Sequence, residues 1–258
     1  MSVDYRQDGD VAVITLARPQ VFNSIDQSIT DGLRDAFERA STEARAAVLT
    51  GEGKAFCAGA DLGDLLGEYE AGGPDLRHTI TTRFNPALEA VLGADLPVVA
   101  AVNGAAAGAG MGLALGCDVR VMSRSAFFMS AFINVALVPD TGTAWFLPQM
   151  VGVSRAMEIA MSGRRVTADE ALDLGLAAEV TDGDVVDAAM ARAAAMADGP
   201  RRAYVETRKI IHMAAAASLA DTTAREAVVQ GELGVLPTHR EGMTAFVEKR
   251  KPDFRSAD

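Results

Sequence analysis

The spacing of apolar residues predicts strands alternating with helices over the first two-thirds of the chain. Residues 11–16 (Val-Ala-Val-Ile-Thr-Leu) form an apolar run typical of a strand, and three more strands are expected at residues 46–50, 97–103 and 118–122. From about Asp26 apolar residues recur at intervals of three and four, which predicts a helix with one buried face. That face consists of Ile29, Leu33, Phe37 and Ala40. Alternation of this kind predicts an α/β core.

Helical signals dominate the C-terminal part of the chain. Residues 167–170 (Thr-Ala-Asp-Glu) have the spacing of a capping box, and Gly175 lies where the short helix that they begin should end. From about Asp184 the pattern is helical almost to the end, with one break at Gly199-Pro200. The alanine-rich run at residues 188–197 is predicted to be helix and not linker, because alanine has the highest helix propensity.

The chain shows no long internal repeat, and we expect two regions: an α/β core at residues 1–195 and a helical region at residues 196–258. Within the core, residues 76–92 look helical, with Pro86 as the expected site of a kink. The polar, glycine-rich segment 68–74 is expected to be a mobile loop.

The formal net charge of −11 excludes some classes of partner. It argues against nucleic acid and against an anionic membrane surface. A small anionic ligand would need only a local basic patch, which Arg18, Lys54 and residues 249–251 (Lys-Arg-Lys) could supply. The other interpretation of these cations is that they are solvated surface charges, and charge alone favours it.

Composition also bears on location and on metal chemistry. No stretch approaches the roughly 20 uninterrupted apolar residues of a membrane helix. The first residues have no basic region followed by an apolar run, so we expect no secretory signal and a cytoplasmic protein. The cysteines are Cys57 and Cys117; neither has neighbours at metal-ligand spacing, so we expect two free thiols and no metal site.

Two turns rich in glycine and alanine are the first candidates for chemistry. One lies near Gly59 and the other at residues 108–112, and each follows an apolar strand. Small residues allow another backbone or a ligand to approach the main chain, and unpaired amides at the start of a helix can bind an anionic oxygen. Two such turns that met in space would form an oxyanion hole for a thioester carbonyl that becomes an enolate.

Other interpretations of these turns are open. A run of small residues after a strand often reflects only close packing of helix on sheet. The segment at residues 108–112 also suggests a dinucleotide site, but its third glycine, Gly112, comes one residue early. The segment also lies in the middle of the chain and does not open the first strand–helix unit, so a nicotinamide site is disfavoured.

Three segments resemble the crotonase (enoyl-CoA hydratase/isomerase) superfamily. Residues 54–62 (Lys-Ala-Phe-Cys-Ala-Gly-Ala-Asp-Leu) look like the first oxyanion segment of that family, and residues 100–118 look like the second. Residues 241–254 (Glu-Gly-Met-Thr-Ala-Phe-Val-Glu-Lys-Arg-Lys-Pro-Asp-Phe) match its C-terminal signature. The resemblance extends from about Val11 to Phe254, and the three motifs occur in the family's order.

The resemblance implies a fold, an assembly and a ligand. The fold would be an α/β crotonase-like spiral of ββα units with a C-terminal α-helical region. The chain would assemble as a homotrimer or homohexamer, with residues 196–258 as the trimerisation region. The amides of Ala60 and Ala109 would be the oxyanion donors, and coenzyme A would bind as part of the thioester substrate. Phe246 and Lys249, from a neighbouring subunit, would meet the adenosine 3′-phosphate end. The full set of residues implied for coenzyme A is Arg18, Val21, Ala58, Ala60, Asp61, Leu62, Phe246 and Lys249.

The chain departs from the family pattern at two positions. Family hydratases carry two glutamates that hold and activate a water; they fall where this chain has Gly112 and Phe132. Neither replacement can transfer a proton, and addition of water needs an aligned acid or base. Ordinary hydratase chemistry is therefore in doubt.

One carboxylate remains at a suggestive position, Asp140. Several family isomerases place their acid/base group there, and residues 131–148 are similar to the ring-epoxide (oxepin-CoA-forming) isomerase of phenylacetate degradation, an enzyme type that also shifts 3-enoyl double bonds. We expect Asp140 to take a proton from C2 and return it at C4. Because Pro-Asp-x-Gly is also ordinary turn chemistry, Asp140 could instead be only a turn residue. A hydratase with atypical residues and a non-catalytic acyl-CoA-binding protein are the competing functions.

The remaining aromatic and titratable side chains have other expected roles. Asp61 and Asp118 are interpreted as structural or capping carboxylates. The histidines match no catalytic position of the family; they are His78, His212 and His239. The aromatic residues around Asp140 are expected mainly in the core, and some could line an acyl site. They are Phe127, Phe128, Phe132, Trp145 and Phe146.

Overall fold

The structure is a computed structural model that describes residues 2–69 and 72–257; the side chains of Leu62 and Asp64 also lie outside the description. Residues 70–71, in the segment predicted to be a mobile loop, are therefore not described.

A six-stranded sheet forms the first layer of the fold. In order across the sheet its strands are β1 (Val3–Asp8), β2 (Val11–Leu16), β3 (Ala46–Gly51), β5 (Val98–Val102), β7 (Val119–Ser123) and β10 (Glu179–Thr181). The first two strands pair antiparallel and all the others pair parallel. Every residue of β3 and β5 is buried, as expected for central parallel strands that are covered on both faces. The four strands predicted from apolar runs are all present.

A second sheet has four short strands that the apolar pattern did not predict. They are β4 (Ala55–Cys57), β6 (Ala105–Ala107), β8 (Phe127–Met129) and β9 (Arg165–Thr167), in that order. Each has three residues, too few for a period to be recognised. Along the chain, a strand of the large sheet is three times followed by a strand of the small sheet: β4 follows β3, β6 follows β5 and β8 follows β7. Helices follow each of these pairs. This repetition confirms the expected spiral of ββα units.

Helices cover both faces of the large sheet and form the C-terminal region. In chain order they are α1 (Gln27–Glu43), α2 (Leu62–Glu68), α3 (Leu76–Thr79), α4 (Asn85–Leu92), α5 (Ala109–Leu115), α6 (Thr143–Val151), α7 (Val153–Ser162), α8 (Ala168–Asp173), α9 (Val185–Ala197), α10 (Arg201–Ala214), α11 (Leu219–Gly234), α12 (Pro237–Glu248) and α13 (Phe254–Ala257). None of the described helices is long and apolar enough to cross a membrane.

Local sequence signals account for several helix ends. Asp26 caps α1 by accepting a hydrogen bond from the Ile29 amide at 2.9 Å, and the four apolar residues predicted for its inner face are buried. Thr167 accepts a hydrogen bond from the Glu170 amide at 3.3 Å, as the capping spacing predicted. Near Pro86 the predicted kink is a π-helical turn over Ile80–Phe84, which joins α3 to α4.

Two apolar clusters lie on opposite faces of the large sheet. On one face, Leu49 and Ala100 pack with the main core beneath α1, α4 and α5. On the other, Val48 and Val99 pack against the alanine face of α9. Helix α9 continues to Ala197 before the break at Gly199-Pro200. The division at residues 195 and 196 into a core and an oligomerising region stays a prediction.

A buried ion pair fixes α10 against the N-terminal ends of β5 and β7. The Arg208 side chain is 4% exposed, and its Nη1 lies 3.1 Å from Asp118 Oδ2. The same carboxylate oxygen accepts a hydrogen bond from the Val98 amide at 2.8 Å, so Asp118 has the structural role expected of it. Arg208 also donates to the carbonyl oxygens of Ala94 and Leu96. One guanidinium thus joins three segments.

We expect Arg208→Ala to lower the free energy of unfolding by about 3–5 kcal/mol, because it leaves a buried carboxylate without its partner. Arg202→Ala on the same helix is the control: Arg202 is 53% exposed and lies 3.8 Å from Glu232, and loss of an exposed pair costs about 1 kcal/mol or less. Urea denaturation measures both variants. Equal, small losses would contradict a structural role for the Arg208 pair.

Candidate active site

The two small-residue turns meet in space because their strands are neighbours. Strands β4 and β6 pair parallel, so the turns that follow them leave the same edge of the small sheet. Gly59 has a φ of +85°, and a Cβ on it would lie 2.9 Å from the Ala109 nitrogen and 2.8 Å from the Ala107 oxygen. The main chains of the two turns are therefore in direct contact, and a side chain at Gly59 would separate them.

Hydrogen bonds fix both turns from behind. The Ala58 amide donates to the Phe22 oxygen at 3.0 Å, and the Ile25 amide donates to the Gly59 oxygen at 2.7 Å. The Gly108 amide donates to the Met129 oxygen at 2.9 Å. These bonds hold the main chain that directly precedes Ala60 and Ala109.

Ala60 and Ala109 are the two predicted oxyanion donors. Within residues 2–69 and 72–257, neither amide donates a hydrogen bond to the protein. Both residues line the same cavity, and Ala109 is the first residue of α5. Amides without partners beside a cavity are available to a ligand oxygen, as an oxyanion hole requires.

The cavity has a volume of about 700 Å³ and an apolar wall. Among the described side chains, the carboxylates that line it are Asp61 and Asp140. Asp61 accepts a hydrogen bond from the Gly63 amide at 3.0 Å, which places it at the start of α2 in the expected structural role. The apolar residues of the wall include Phe22, Leu65, Leu76, Ile80, Phe84, Phe132, Val135, Leu137 and Val138.

Asp140 is partly buried at the base of α6. Its Oδ1 accepts a hydrogen bond from the Thr141 hydroxyl at 2.6 Å, and its main-chain oxygen accepts one from the Thr143 amide at 2.9 Å. Burial raises the pKa of the Asp140 carboxyl, and the Thr141 hydrogen bond opposes that shift in part. A carboxyl whose pKa is raised in this way is a better general base than an exposed aspartate.

The two positions at which family hydratases carry glutamates have no acid or base. A Cβ on Gly112 would lie 2.2 Å from the Thr141 oxygen and 2.9 Å from Thr143 Oγ1, so this position cannot hold a longer side chain without moving the Asp140 turn. Phe132 is 7% exposed and lines the cavity. An apolar ring therefore occupies the region where a second glutamate would be expected.

The residues predicted to bind coenzyme A are only partly brought together in the single chain. Val21, Ala58, Ala60 and Asp61 line the cavity, and the main chain of Leu62 begins α2 beside it. The Leu62 side chain lies outside the described residues.

The cationic and aromatic members of that set lie apart from the cavity wall. The Arg18 guanidinium lies 2.8 Å from Asp26 Oδ2 and donates to the Ser24 oxygen at 3.1 Å. Phe246 is 83% exposed at the end of α12, and Lys249 caps that helix. Neither Phe246 nor Lys249 lines the cavity within one chain, so their coenzyme A role stays a prediction about a neighbouring subunit.

Sequence reasoning missed the apolar wall of the cavity. Leu137 is 39% and Val138 80% exposed directly before Asp140. The sequence did contain a signal for this wall. It is an apolar run before a proline and a carboxylate, in a segment with no helical or strand period. The expectation for the aromatic residues holds for three of the five: Phe128 and Phe146 lie in the core, and Phe132 faces the cavity. Phe127 is only half-buried, and Trp145 is 37% exposed outside the cavity, so the expectation was wrong for Trp145.

The two cysteines lie in the core and carry no charge at neutral pH. Cys57 and Cys117 are buried free thiols, and burial raises the pKa of each to about 12, so both are protonated at neutral pH. Among the described residues, no cluster of three or more histidine, cysteine or acidic side chains could hold a metal ion.

Comparison with known proteins gives the same assignment over almost the whole chain. The family model described as enoyl-CoA hydratase/isomerase matches residues 6–257. A protein of Rhodobacter capsulatus named "Probable enoyl-CoA hydratase" is 44% identical over 254 residues, covering 98% of this chain and 97% of the relative. The 1,2-epoxyphenylacetyl-CoA isomerase of Escherichia coli is 34% identical over 247 residues, covering 95% of this chain and 94% of the relative.

Solved structures agree with the fold. The crystal structure of an enoyl-CoA hydratase from Polaromonas sp. has a TM-score of 0.90 at 31% identity, with 97% of this chain and 98% of the other covered. The enoyl-CoA hydratase from Bacillus anthracis has a TM-score of 0.87 at 31% identity, with 98% of each chain covered. The chain belongs to the enoyl-CoA hydratase/isomerase family, in the crotonase superfamily.

Proposed function

We propose that the protein isomerises 3-enoyl-CoA thioesters, or thioesters similar to ring-1,2-epoxyphenylacetyl-CoA, with Asp140 as the proton shuttle. The observation that carries this proposal is the composition of the cavity. It combines two unpartnered amides, Ala60 and Ala109, with one carboxylate of raised pKa. At the two positions of the family's water-activating glutamates it has Gly112 and Phe132 instead.

The chemistry follows from these groups. The thioester oxygen accepts hydrogen bonds from the amides of Ala60 and Ala109, which stabilise negative charge on that oxygen. The Asp140 carboxylate removes a proton from C2, so the C2–H bond breaks and a dienolate forms. The carboxylic acid then returns the proton at C4, and the double bond lies between C2 and C3. The net change is a shift of one hydrogen and one double bond, with no water consumed.

The apolar wall supports this reaction. Phe132 and the side chains around it leave little for a water molecule to bind, and exclusion of water protects a reactive enolate from other fates. Low polarity also strengthens the interaction between the two amides and the developing charge.

Hydration is the second candidate, because the Rhodobacter capsulatus relative is named as a hydratase. Addition of water needs a base that orients it, and the space at Gly112 is filled by the main chain of Thr141. The composition of the cavity therefore favours isomerisation. An acyl-CoA-binding protein without activity is the third candidate, and the same variant tests all three.

The remaining parts of the proposal concern binding and assembly. We place coenzyme A along the loop of Arg18 and Val21 and along residues 58–62. Phe246 and Lys249 of a second copy would contact its phosphate end, in a homotrimer or homohexamer. The exposure of Phe246 together with Met243 and Val247 on the same helix supports this arrangement, since a patch of exposed apolar side chains is typical of an interaction site. A cytoplasmic location is part of the same proposal.

The first test compares the parent with Asp140→Asn on two substrates. With a 3-enoyl-CoA, absorbance of the conjugated product should appear with the parent and be lost with the variant, because the amide cannot accept a proton. With a 2-enoyl-CoA, neither protein should remove that absorbance by hydration. Asp35→Asn, a carboxylate that is 77% exposed on α1, is the control and should behave as the parent.

Each alternative gives a different result in that assay. Robust hydration that survives in Asp140→Asn would establish the hydratase and overturn the isomerase. Acyl-CoA binding without turnover in either protein would establish the binding function. Binding by Asp140→Asn is measured by calorimetry, so that loss of activity is not confused with loss of affinity.

The pH dependence of the parent follows from the raised pKa of Asp140. The base form must be present, so kcat/KM should fall as pH drops through a value above the usual aspartate pKa of about 3.9.

The raised pKa also predicts an effect on stability. The folded state favours the protonated carboxyl of Asp140, and this stabilisation is lost as pH rises through the folded pKa, so ionised Asp140 destabilises the fold at neutral pH. Asp140→Asn should therefore raise the melting temperature at pH 7, a result opposite in sign to its effect on activity.

Gly59→Ala tests the contact between the two turns. A methyl group would meet Ala107 and Ala109 atoms closer than 3.0 Å at a φ of +85°, so the two amides must move apart. We expect kcat to fall by about 100-fold or more, as when an oxyanion donor is removed. Gly231→Ala is the control, because a Cβ there has nothing within 4 Å. Equal kcat values for the two variants would rule out the proposed oxyanion hole.

A further inference from the structure

The residue after Asp140 has a backbone conformation that its side chain disfavours. Thr141 has a φ of 49° and Gly142 a φ of 74°, and the Thr143 amide donates to the Asp140 oxygen at 2.9 Å. The four residues form a turn with positive φ at both central positions, a geometry that favours glycine, asparagine or aspartate. For a β-branched residue this φ is an outlier, and such outliers are found at sites where function requires them.

Within the part of the chain that the structure describes, the Thr141 side chain makes a single hydrogen bond, to Asp140. Thr141 is 2% exposed, and its hydroxyl donates to Asp140 Oδ1 at 2.6 Å. The other oxygen, Asp140 Oδ2, accepts no hydrogen bond from any residue that the structure describes. Asp140 lines the cavity. The two carboxylate oxygens therefore have different environments, although in water they would be equivalent.

We propose that Thr141 is a positioning residue that holds Asp140 Oδ1, so that Oδ2 is the oxygen that removes the proton from C2 and returns it at C4. This inference rests on the proposed function, in which Asp140 moves the proton. The C2–H bond breaks as the Oδ2–H bond forms, and Oδ2–H breaks as C4–H forms. Because Oδ1 is held by the hydroxyl, the carboxyl group does not rotate between the two transfers and one oxygen serves both.

A purely structural role for Thr141 accounts less well for the residue. The turn itself needs no hydroxyl, and glycine would adopt its conformation without cost. A hydrogen bond to a charged carboxylate is about twice as strong as one between neutral groups and can offset the strained φ. The hydroxyl thus explains why position 141 has a threonine and not a glycine.

The contact with Gly112 fixes the turn from the other side. The position of a Cβ on Gly112 is 2.2 Å from the Thr141 oxygen, so the main chain of α5 lies directly against the turn. The carbonyl of Thr141 faces α5 and its hydroxyl faces Asp140. Thr141 therefore transmits the position of α5, which carries the Ala109 amide at its first residue, to the carboxylate.

Two substitutions separate the hydroxyl from the shape of the side chain. Thr141→Val keeps the branching, the volume and the cost of the positive φ but removes the hydroxyl. Thr141→Ser keeps the hydroxyl. We expect Thr141→Val to lower kcat by roughly 10- to 100-fold, the range for losing a hydrogen bond to a charged group, with KM little changed. Thr141→Ser should retain most of the parent's kcat, and Thr223→Val on the exposed face of α11 should leave it unchanged.

The pH profile distinguishes positioning from packing. The Thr141 hydroxyl stabilises the ionised form of Asp140, so its loss raises the pKa further and the acid limb of kcat/KM should move to higher pH in Thr141→Val. It should not move in Thr141→Ser. If packing alone mattered, serine would be the more damaging change, the limb would stay in place, and the proposal would be overturned.

A measurement without turnover keeps this inference separate from the proposed function. The carboxyl of Asp140 can be titrated by carbon-13 NMR, with its signal assigned by its absence from Asp140→Asn. A midpoint that rises in Thr141→Val establishes that the hydroxyl holds Oδ1. If the parent nevertheless fails to isomerise 3-enoyl-CoA, the proposed function and the proton transfer by Oδ2 are overturned, and the positioning of the carboxyl by Thr141 is not. An unchanged midpoint overturns the inference. If Thr141→Val does not fold, Thr141→Gly removes the hydroxyl while relaxing the backbone, and the same shift is expected.

Discussion

Direct contact between main chains, without side chains between them, is the constraint on which the site depends. A Cβ on Gly110 would lie 2.0 Å from the Cys57 oxygen, and one on Gly104 would lie 2.1 Å from the Lys54 oxygen. The segment around β6 and α5 is therefore packed directly on the backbone of β4 and its turn. This closeness brings the amides of Ala60 and Ala109 to one cavity, and any larger side chain at these glycines would separate them.

The same constraint explains why main-chain and side-chain groups have different roles in the proposed site. In the proposed reaction, charge is stabilised by main-chain amides, whose positions are fixed by the small sheet and cost no reorganisation during the reaction. Proton transfer in that proposal depends on one side chain, Asp140, which a turn presents at the start of α6. The cavity wall supplies neither charge nor protons but lowers the polarity around both. Burial raises the pKa of Asp140 for the same reason that it strengthens the oxyanion contacts.

Sequence patterns predicted the parts of this structure that have a period or a motif. Strands β2, β3, β5 and β7 of the large sheet and helix α1 follow from apolar spacing, and the two turns follow from small residues after strands. Strands β1 and β10 at the edges of the large sheet were not predicted. The three-residue strands β4, β6 and β8 were missed, because a strand of that length has no period to recognise. The consequence was that the turns were predicted without the small sheet that makes them neighbours.

The candidate site was predictable to a different extent. The family resemblance carried Ala60, Ala109 and Asp140, and the structure adds that all three line one cavity. The cavity's apolar wall and the bond between Thr141 and Asp140 were not predictable from one sequence. They depend on how α6 and the turn before it lie against α5, which is a tertiary contact between segments about thirty residues apart.

Gly112 links the absence of a glutamate on α5 to the position of the Asp140 carboxylate. The space into which a side chain at this position would extend is occupied by the carbonyl of Thr141, 2.2 Å from the place of its Cβ. A glutamate at Gly112 would displace that carbonyl, and with it the turn that presents the Asp140 carboxylate. The two arrangements therefore compete for one volume: either a water-activating side chain extends from α5, or the turn closes on α5 and brings its own carboxylate to the cavity. In this protein, glycine at position 112 is a condition for the geometry of Asp140. The absence of a glutamate at position 112 and the presence of the Asp140 carboxylate at the cavity therefore have the same structural cause.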